Sequence, residues 1–471
     1  MKDFRYFIKM TAAVLLLSAV TCSCNDGMKI VRVSVCFPGT NVLNAQVDVQ
    51  TTGVRNAFVR YWIAGQEGKS SIARASQSSG DQRFLLTRLK PGVQYVFTIT
   101  TAAGNSTAVS RNYSFRTMDG RGEVQDTFNV TCADTSALPG IFKQGYIMVH
   151  RREVPGIIVL LDYKGNVLWH HQAKKEGFKV VNFTKDRTFL CLLGTNEYET
   201  GYGGAVLELS LTGDTLLYLK KGQNDFQQTI HHEIIPNKKN ELVTLCVEDR
   251  IMDLRSRGGL AKDTVRGDGI LVLDRQGRKK WKWTVFDALD PLKDTAIAKS
   301  KKDWMHANSV SFDKDGNYLV SFYNNSQIWK IDAVTGKVIW KLGKGGDFAM
   351  PAGVVFGQAH AVHVNERGWL QFFDNGTNNK LSRSLSLVLN ERVKKAQLIN
   401  ATWLPPHLFS DRMGSSYLVG DNTLLLCASK HKTIALTNFN GDILWQLRSS
   451  GIVSYRAQFI SKEKLAPYIN L

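Results

Sequence analysis

Three runs in this 471-residue chain open on histidine and then turn strand-like. They read His231-His232-Glu233-Ile234-Ile235, Asp303-Trp304-Met305-His306-Ala307-Asn308-Ser309 and Gln358-Ala359-His360-Ala361-Val362-His363. Each leads into a polar turn, marked by Asn240, Gly316 and Gly368, and eight residues before those marks stand His232, Asn308 and His360. His306, two residues before Asn308, is expected on the same strand face, with His231 and His363 on the opposite one. Imidazole titrates near neutrality, so histidines gathered at one level can hold a metal, bind an anion, or pair a nucleophile with an acid/base. His170, His171, His407 and His431 have no such counterparts and read as structure or surface.

The elements that must position these residues repeat. An apolar run, a glycine turn and a second run often ending in Trp occur at Ile158–Trp169, Val206–Leu219, Ile270–Trp283, Ile328–Trp340 and Ile434–Trp445, with a degenerate copy at Leu385–Ile399. A second strand pair precedes most copies, at Glu233–Val247, Ser309–Ser321, Val362–Phe373 and Tyr417–Ala428. Four short strands per unit, six times over, predict a six-bladed β-propeller, with a seven-bladed closure through Phe142–His150 as the alternative. Upstream, Lys29–Cys36, Phe58–Ile63 and Tyr95–Thr100 alternate apolar and polar residues, and Leu89–Tyr95 reads as a tyrosine corner. The chain therefore reads as all-β. A leader over 1–24 precedes an Ig/fibronectin-III-like sandwich over 25–119 and the propeller over 120–471.

The leader has a basic start, an apolar run from Met10 to Val20, and then Thr21-Cys22-Ser23-Cys24. That pattern predicts export, to the periplasm or as an outer-membrane lipoprotein of a Gram-negative bacterium. Cys24 is the expected lipidation site and tether, with Cys22 as the alternative. Of the remaining cysteines, Cys191, Cys246 and Cys427 lie in apolar runs and Cys36 could bridge Cys132, but no zinc spacing occurs. The 60 Lys and Arg against 41 Asp and Glu give a net charge of +19. The basic pairs, such as Lys238-Lys239 and Lys301-Lys302, are dispersed and form no tract for nucleic acid. Such a field suits a small anionic ligand. The sandwich offers a surface for a homodimer.

The His-His-acidic run, the Asp-Trp-x-His-x-Asn-Ser run, and His360 followed by Phe373-Asp374-Asn375-Gly376 resemble the bacterial arylsulfate sulfotransferase family over essentially the whole mature chain. The resemblance implies PAPS-independent transfer of a sulfuryl group from an aryl sulfate to a phenolic acceptor, with no metal or cofactor. It implies that His360 is the nucleophile and His306 the acid/base. Asn308 would hold a sulfate oxygen, His232 or His231 would carry anionic charge, and Tyr455, in the closing Tyr455-Arg456-Ala457 segment, would reach the channel.

The chain departs from that pattern at one position of consequence. Where the family has an arginine in the strand after the Asp-Trp-x-His run, this sequence reads Ser321-Phe322-Tyr323-Asn324-Asn325-Ser326, with Tyr323 or Asn324 at its place. A cation aimed at the transferring oxygens contributes about 3–4 kcal/mol by analogy with an oxyanion donor. Arg383 and Arg456 are the candidates to replace it. Two other readings compete: a non-catalytic surface-binding propeller, and a metal-using propeller lyase acting on an anionic glycan.

Overall fold

The computed structural model describes residues 14–17, 29–37, 44–52, 56–74, 81–87, 89–103, 106–118, 124–211 and 213–465. Cys22 and Cys24, the expected lipidation sites, lie outside the described residues. Among the described residues no helix is long and apolar enough to cross a membrane.

Two antiparallel sheets form the N-terminal part. One carries Lys29–Cys36, Ala45–Thr52 and Gln82–Leu86 side by side; the other is built around Asn56–Ile63 and Gln94–Ala103. Alternation puts Val33, Val35, Val47 and Val49 of the first against Val59, Tyr61, Phe97 and Ile99 of the second in one core. The Tyr95 hydroxyl accepts a hydrogen bond from the Lys90 N–H, five residues upstream, at 2.9 Å.

From Phe128 onward the strands fall into six antiparallel sheets of four or five. The repeated unit is a hairpin of each sheet, with the turn glycine missing only from the degenerate copy between Arg383–Asn390 and Lys395–Trp403. Its turn has a recurring local cause: Asp162, Asp274 and Asn438 each accept two backbone N–H bonds through Oδ1. Three residues on, Gly165, Gly277 and Gly441 take positive φ, a conformation that only glycine adopts without strain. The Trp closing the hairpin then plugs the gap to the following sheet. Trp169 stacks on Phe189 with ring centroids 4.7 Å apart, and Trp283 packs among Val310, Tyr318 and Trp329. Trp445 of the last sheet joins Ile147 and Val159 of the first, and its indole N–H donates to Tyr163 O at 2.7 Å. Each indole buries some 150–250 Å² of apolar surface, so the plugs carry much of the cohesion between sheets.

The sheets follow one another in space as in sequence. The innermost strands Gly177–Phe183, Ile230–Pro236, Ala307–Phe312, Ala359–Val364 and Ser415–Val419 lie each against the next. Gln458–Ile460, the last strand of the chain, pairs with Tyr146–Arg151 and touches both Ser415–Val419 and Gly177–Phe183. Phe128–Thr131 adds to the outer edge of the last sheet through Ile443–Ser449. The segment that suggested a seventh blade is a short helix, Gly140–Gln144, and the strand Tyr146–Arg151, which belongs to the first sheet. Cys36 and Cys132 are both free thiols, so the possible bridge between them is not formed. The Cys132 thiol instead donates to Leu444 O.

Candidate active site

The heads of three consecutive inner strands share a defect. Strand register shifts between His231 and Ile234, between Ala307 and Ser309, and between His360 and His363. His232 and His306 both stand at φ 55° and Ala361 at 52°, a left-handed backbone that costs non-glycine residues on the order of 1 kcal/mol each. A left-handed residue inside the shift in two of these sheets, and just ahead of the strand in the third, re-aims side chains at the strand heads. His232 and His306 meet with ring centroids 5.2 Å apart. Tyr323 lies between His306 and His360, at 5.2 and 5.4 Å. Tyr455 faces both His232 and His360, at 5.7 and 6.2 Å.

His360 is 2% exposed, and its tautomer is determined by its neighbours. Nδ1 lies 2.6 Å from Asn375 Oδ1. The Asn375 Nδ2 donates to Ser410 O at 2.7 Å and Met413 O at 2.9 Å, so the amide cannot be flipped without losing both bonds. Nδ1 therefore carries the proton, and Nε2 keeps its lone pair. Burial lowers the pKa to about 3, with His306 and Arg456 adding repulsion, so the ring is neutral at neutral pH. The Phe-Asp-Asn-Gly run acquires a physical meaning here. Asp374 accepts from the Gly357 and Gly376 N–H groups and pairs with Arg383, and Asn375 follows it against the histidine.

His306 has the opposite character. Its Nδ1 is 2.7 Å from Asp303 Oδ2. Burial disfavours the charged ring, but the Asp303 hydrogen bond and charge, with Asp268 behind them, outweigh it and raise the pKa above the ordinary value. His232 is buried and held neutral, first by burial and then by the repulsion of His231, His306 and Arg152. Its Nδ1 lies 3.0 Å from His231 Nδ1, and His231 Nε2 lies 3.4 Å from Asp268. His231, 1% exposed, thus backs His232 from behind. A nucleophile-type neutral imidazole, a chargeable imidazole and a third imidazole consequently share one small volume.

Several of the expected binding groups already have partners. Asn308 Nδ2 gives one N–H to Ala359 O at 2.9 Å and Oδ1 accepts from the Ser321 hydroxyl. His306 precedes the strand Ala307–Phe312 with left-handed backbone and a register shift falls at Asn308, so simple alternation does not relate the two; the Asn308 amide bonds the neighbouring sheet through Ala359 O. The Tyr455 hydroxyl is likewise taken, donating to Asn308 O at 2.9 Å, which leaves only its ring toward the histidines. Arg383 is held by Asp374 at 2.8 Å and by the carbonyls of Gly353 and Val355. Arg456 is held by Glu233 and Asn308 O. Both guanidinium charges are thus balanced by a carboxylate, although Arg456 Nε has no hydrogen-bond partner among the described residues. Of the two residues at the place of the missing strand arginine, Tyr323 donates its hydroxyl to Asp411 O at 2.7 Å and Asn324 donates Nδ2 to Asp303 O at 2.7 Å.

Sequence reasoning overlooked three neighbours. Asp303 and Asn375 stood inside the motifs and needed only their hydrogen-bonding capacity considered. Arg152, from the loop between Tyr146–Arg151 and Gly156–Leu161, had no sequence signal. A cavity of about 840 Å³, lined by Lys185, Lys238, Trp281 and His363, opens at the other ends of the inner strands and none of the three clustered histidines lines it. Among the described residues no group of His, Cys, Asp or Glu is arranged to hold a metal ion.

Removing the Asn375 anchor is expected to matter. Asn375→Leu frees His360 to rotate and to exchange tautomers, and any chemistry at Nε2 should fall about 10–100-fold, as for other orienting partners of reactive histidines. NMR of the labelled imidazole would report the tautomer mixture directly. An unchanged Nδ1–H signal would refute the anchoring role.

The arylsulfotransferase (ASST) family profile matches residues 134–397, more than half of the chain. No curated protein sequence matches. Similar solved structures include a protein of unknown function from Bacteroides caccae, at 10% identity and TM-score 0.43, covering 67% of this chain and 99% of that one. A protein from Lactobacillus plantarum shares 13% identity at TM-score 0.37, over 86% of this chain and 99% of its own. The luciferin-regenerating enzyme shares 10% at TM-score 0.31, over 69% and 96%. Likeness this slight does not bear on chemistry.

Proposed function

The chain belongs to the arylsulfotransferase (ASST) family, and from that premise we propose that it carries a sulfuryl group from an aryl sulfate to a phenol by way of a sulfohistidine at His360. The observation that carries the reading is the state of His360: neutral, anchored through Nδ1 by Asn375, with the Nε2 lone pair uncommitted. In the first half-reaction Nε2 attacks sulfur. The N–S bond forms as the S–O bond to the aryl group breaks, and the leaving phenolate takes a proton from charged His306. Positive charge develops on the His360 ring, and Asn375 Oδ1 stabilises it through the Nδ1–H bond. In the second half-reaction neutral His306 takes the proton of the acceptor phenol, whose oxygen attacks sulfur and releases neutral His360. The site returns to its first state, which is ping-pong transfer.

The supporting frame is a six-bladed propeller over 120–471. The touching inner strands, the strand at each chain end added to the opposite terminal sheet, and the Trp445 plug support its closure. An Ig-like sandwich over 25–119 would precede it. Export behind the 1–24 leader and tethering through Cys24 rest on the leader pattern alone.

The test is transfer from 4-nitrophenyl sulfate to phenol by the mature protein, with mass spectrometry after donor alone. Phenyl sulfate formation, parallel lines in double-reciprocal plots, and a single added sulfuryl group on the His360 peptide are expected. Folded protein that releases no nitrophenol and acquires no label, with a panel of aryl sulfates, would overturn the proposal. The absence of the strand arginine, with Tyr323 or Asn324 at its place, favours one second reading, a binding propeller, which that outcome would leave standing.

A further inference from the structure

Buried cations in this protein are paired with carboxylates: Arg456 with Glu233, Arg383 with Asp374, and Lys330 with Asp313, Asp315 and Glu391. Arg152 and the neighbouring Lys179, 6% and 4% exposed, depart from that rule. The Arg152 Nη2 donates to Thr200 O at 2.9 Å, Nη1 lies 2.8 Å from Met413 Sδ, and Nε has no partner at all. Its neighbour Glu153 is exposed and makes no ion pair with it among the described residues. Lys179 Nζ bonds the Arg152 carbonyl, which brings a second positive charge alongside. A guanidinium out of water, held by neutral acceptors only, is an unfavourable arrangement that an anion would relieve.

Its position says which anion. The guanidinium lies 4.8 Å from the centre of the Tyr455 ring, the ring that also faces His232 and His360. A Cβ placed on Gly201 would fall 2.6 Å from His232 Cε1 and 3.3 Å from Arg152 Nη2, so glycine there lets both groups close over the same spot. Met413, which touches Arg152 through sulfur, accepts from the Asn375 amide that anchors His360 through its carbonyl. We infer that Arg152 is the cation that binds the sulfuryl oxygens of the donor and of the transition state, supplied from the loop between Tyr146–Arg151 and Gly156–Leu161 in place of the strand arginine of the family pattern. This rests on the transferase reading above. A planar five-donor fork suits an oxyanion with several equivalent oxygens, and it has donors to spare only because no carboxylate occupies them.

The experiment compares wild type, Arg152→Met and Arg152→Lys in two assays. The first is transfer from 4-nitrophenyl sulfate to phenol. The second is binding of inorganic sulfate, read as the rise in melting temperature with sulfate over chloride at equal ionic strength. Arg152→Met is expected to lower kcat/KM for the donor about 10²–10³-fold and to abolish the sulfate-dependent rise. Arg152→Lys should recover part of both. A merely structural Arg152 would change the melting temperature without sulfate and leave both readouts at wild-type values, which would overturn the inference. Should the wild type show no transfer, the transferase reading fails, and sulfate binding still decides whether Arg152 holds an anion. If Arg152→Met does not fold, Arg152→Lys alone decides, since equal transfer and equal sulfate response would refute the fork geometry.

Discussion

His360→Ala is expected to abolish transfer from 4-nitrophenyl sulfate to phenol, by about 10⁴-fold or more in kcat, as for loss of a covalent nucleophile. The loss should be accompanied by loss of the label on donor-treated protein and of the burst of nitrophenolate in the first turnover. Folding is the obvious confounder, because His360 is buried beside Phe373 and Tyr455. His360→Gly resolves it: the vacated volume admits free imidazole, which should restore turnover if the missing part is a nitrogen nucleophile. Rescue of donor cleavage by imidazole, with N-sulfoimidazole formed in solution, would identify the role. Full activity in folded His360→Ala would eliminate the sulfohistidine.

His306→Gln should have a large effect that depends on the leaving group. Phenol has a pKa near 10 and needs a proton as it departs, and general acid catalysis is worth about 10²–10⁴-fold. Nitrophenol is far more acidic and needs it less. The variant should therefore lose about 10³-fold in the first turnover with phenyl sulfate and much less with 4-nitrophenyl sulfate. Equal losses with both donors would show that His306 binds rather than protonates. The pH dependence has a definite sign. Asp303 and Asp268 hold the His306 pKa above its ordinary value, and the charged form is needed in the donor step. Donor kcat/KM should thus fall as pH rises through that pKa, and acceptor kcat/KM should fall as pH drops through it. His360 contributes neither limb in the neutral range, since its pKa is about 3. Asp303→Asn removes the main support of the charged ring and should move the donor limb to lower pH.

The strand pattern was legible because its causes are local. An Asp or Asn opening a turn, glycine three residues later and a Trp at the end of the hairpin repeat along the chain, and each forms the same hairpin in every sheet where the pattern is intact. His232 and His360 were legible for the same reason, as residues at one offset from a repeated turn, and His306 as a neighbour two residues from the equivalent Asn308. Alternation then misled at Asn308, because a period of two holds only where no bulge interrupts it. The sequence marked Asn308 as a ligand and Arg383 and Arg456 as spare cations, all chemically reasonable. Side-chain type states what a group can bind, not which partner already has it.

By itself, then, the sequence determined the all-β repeat, the family and the set of imidazoles, since hydrophobic period, turn chemistry and motif spacing are properties of short stretches. Only the tertiary structure decided what those imidazoles are. Asn375, fifteen residues from His360, sets its tautomer, and Asp303 sets the charge of His306. Arg456 is neutralised by Glu233 from another sheet, while Arg152, with no motif to announce it, has no counter-ion among the described residues and stands beside His232. Proton affinity and available charge depend on burial and on neighbours brought in from distant parts of the chain, and those are fixed when the sheets pack.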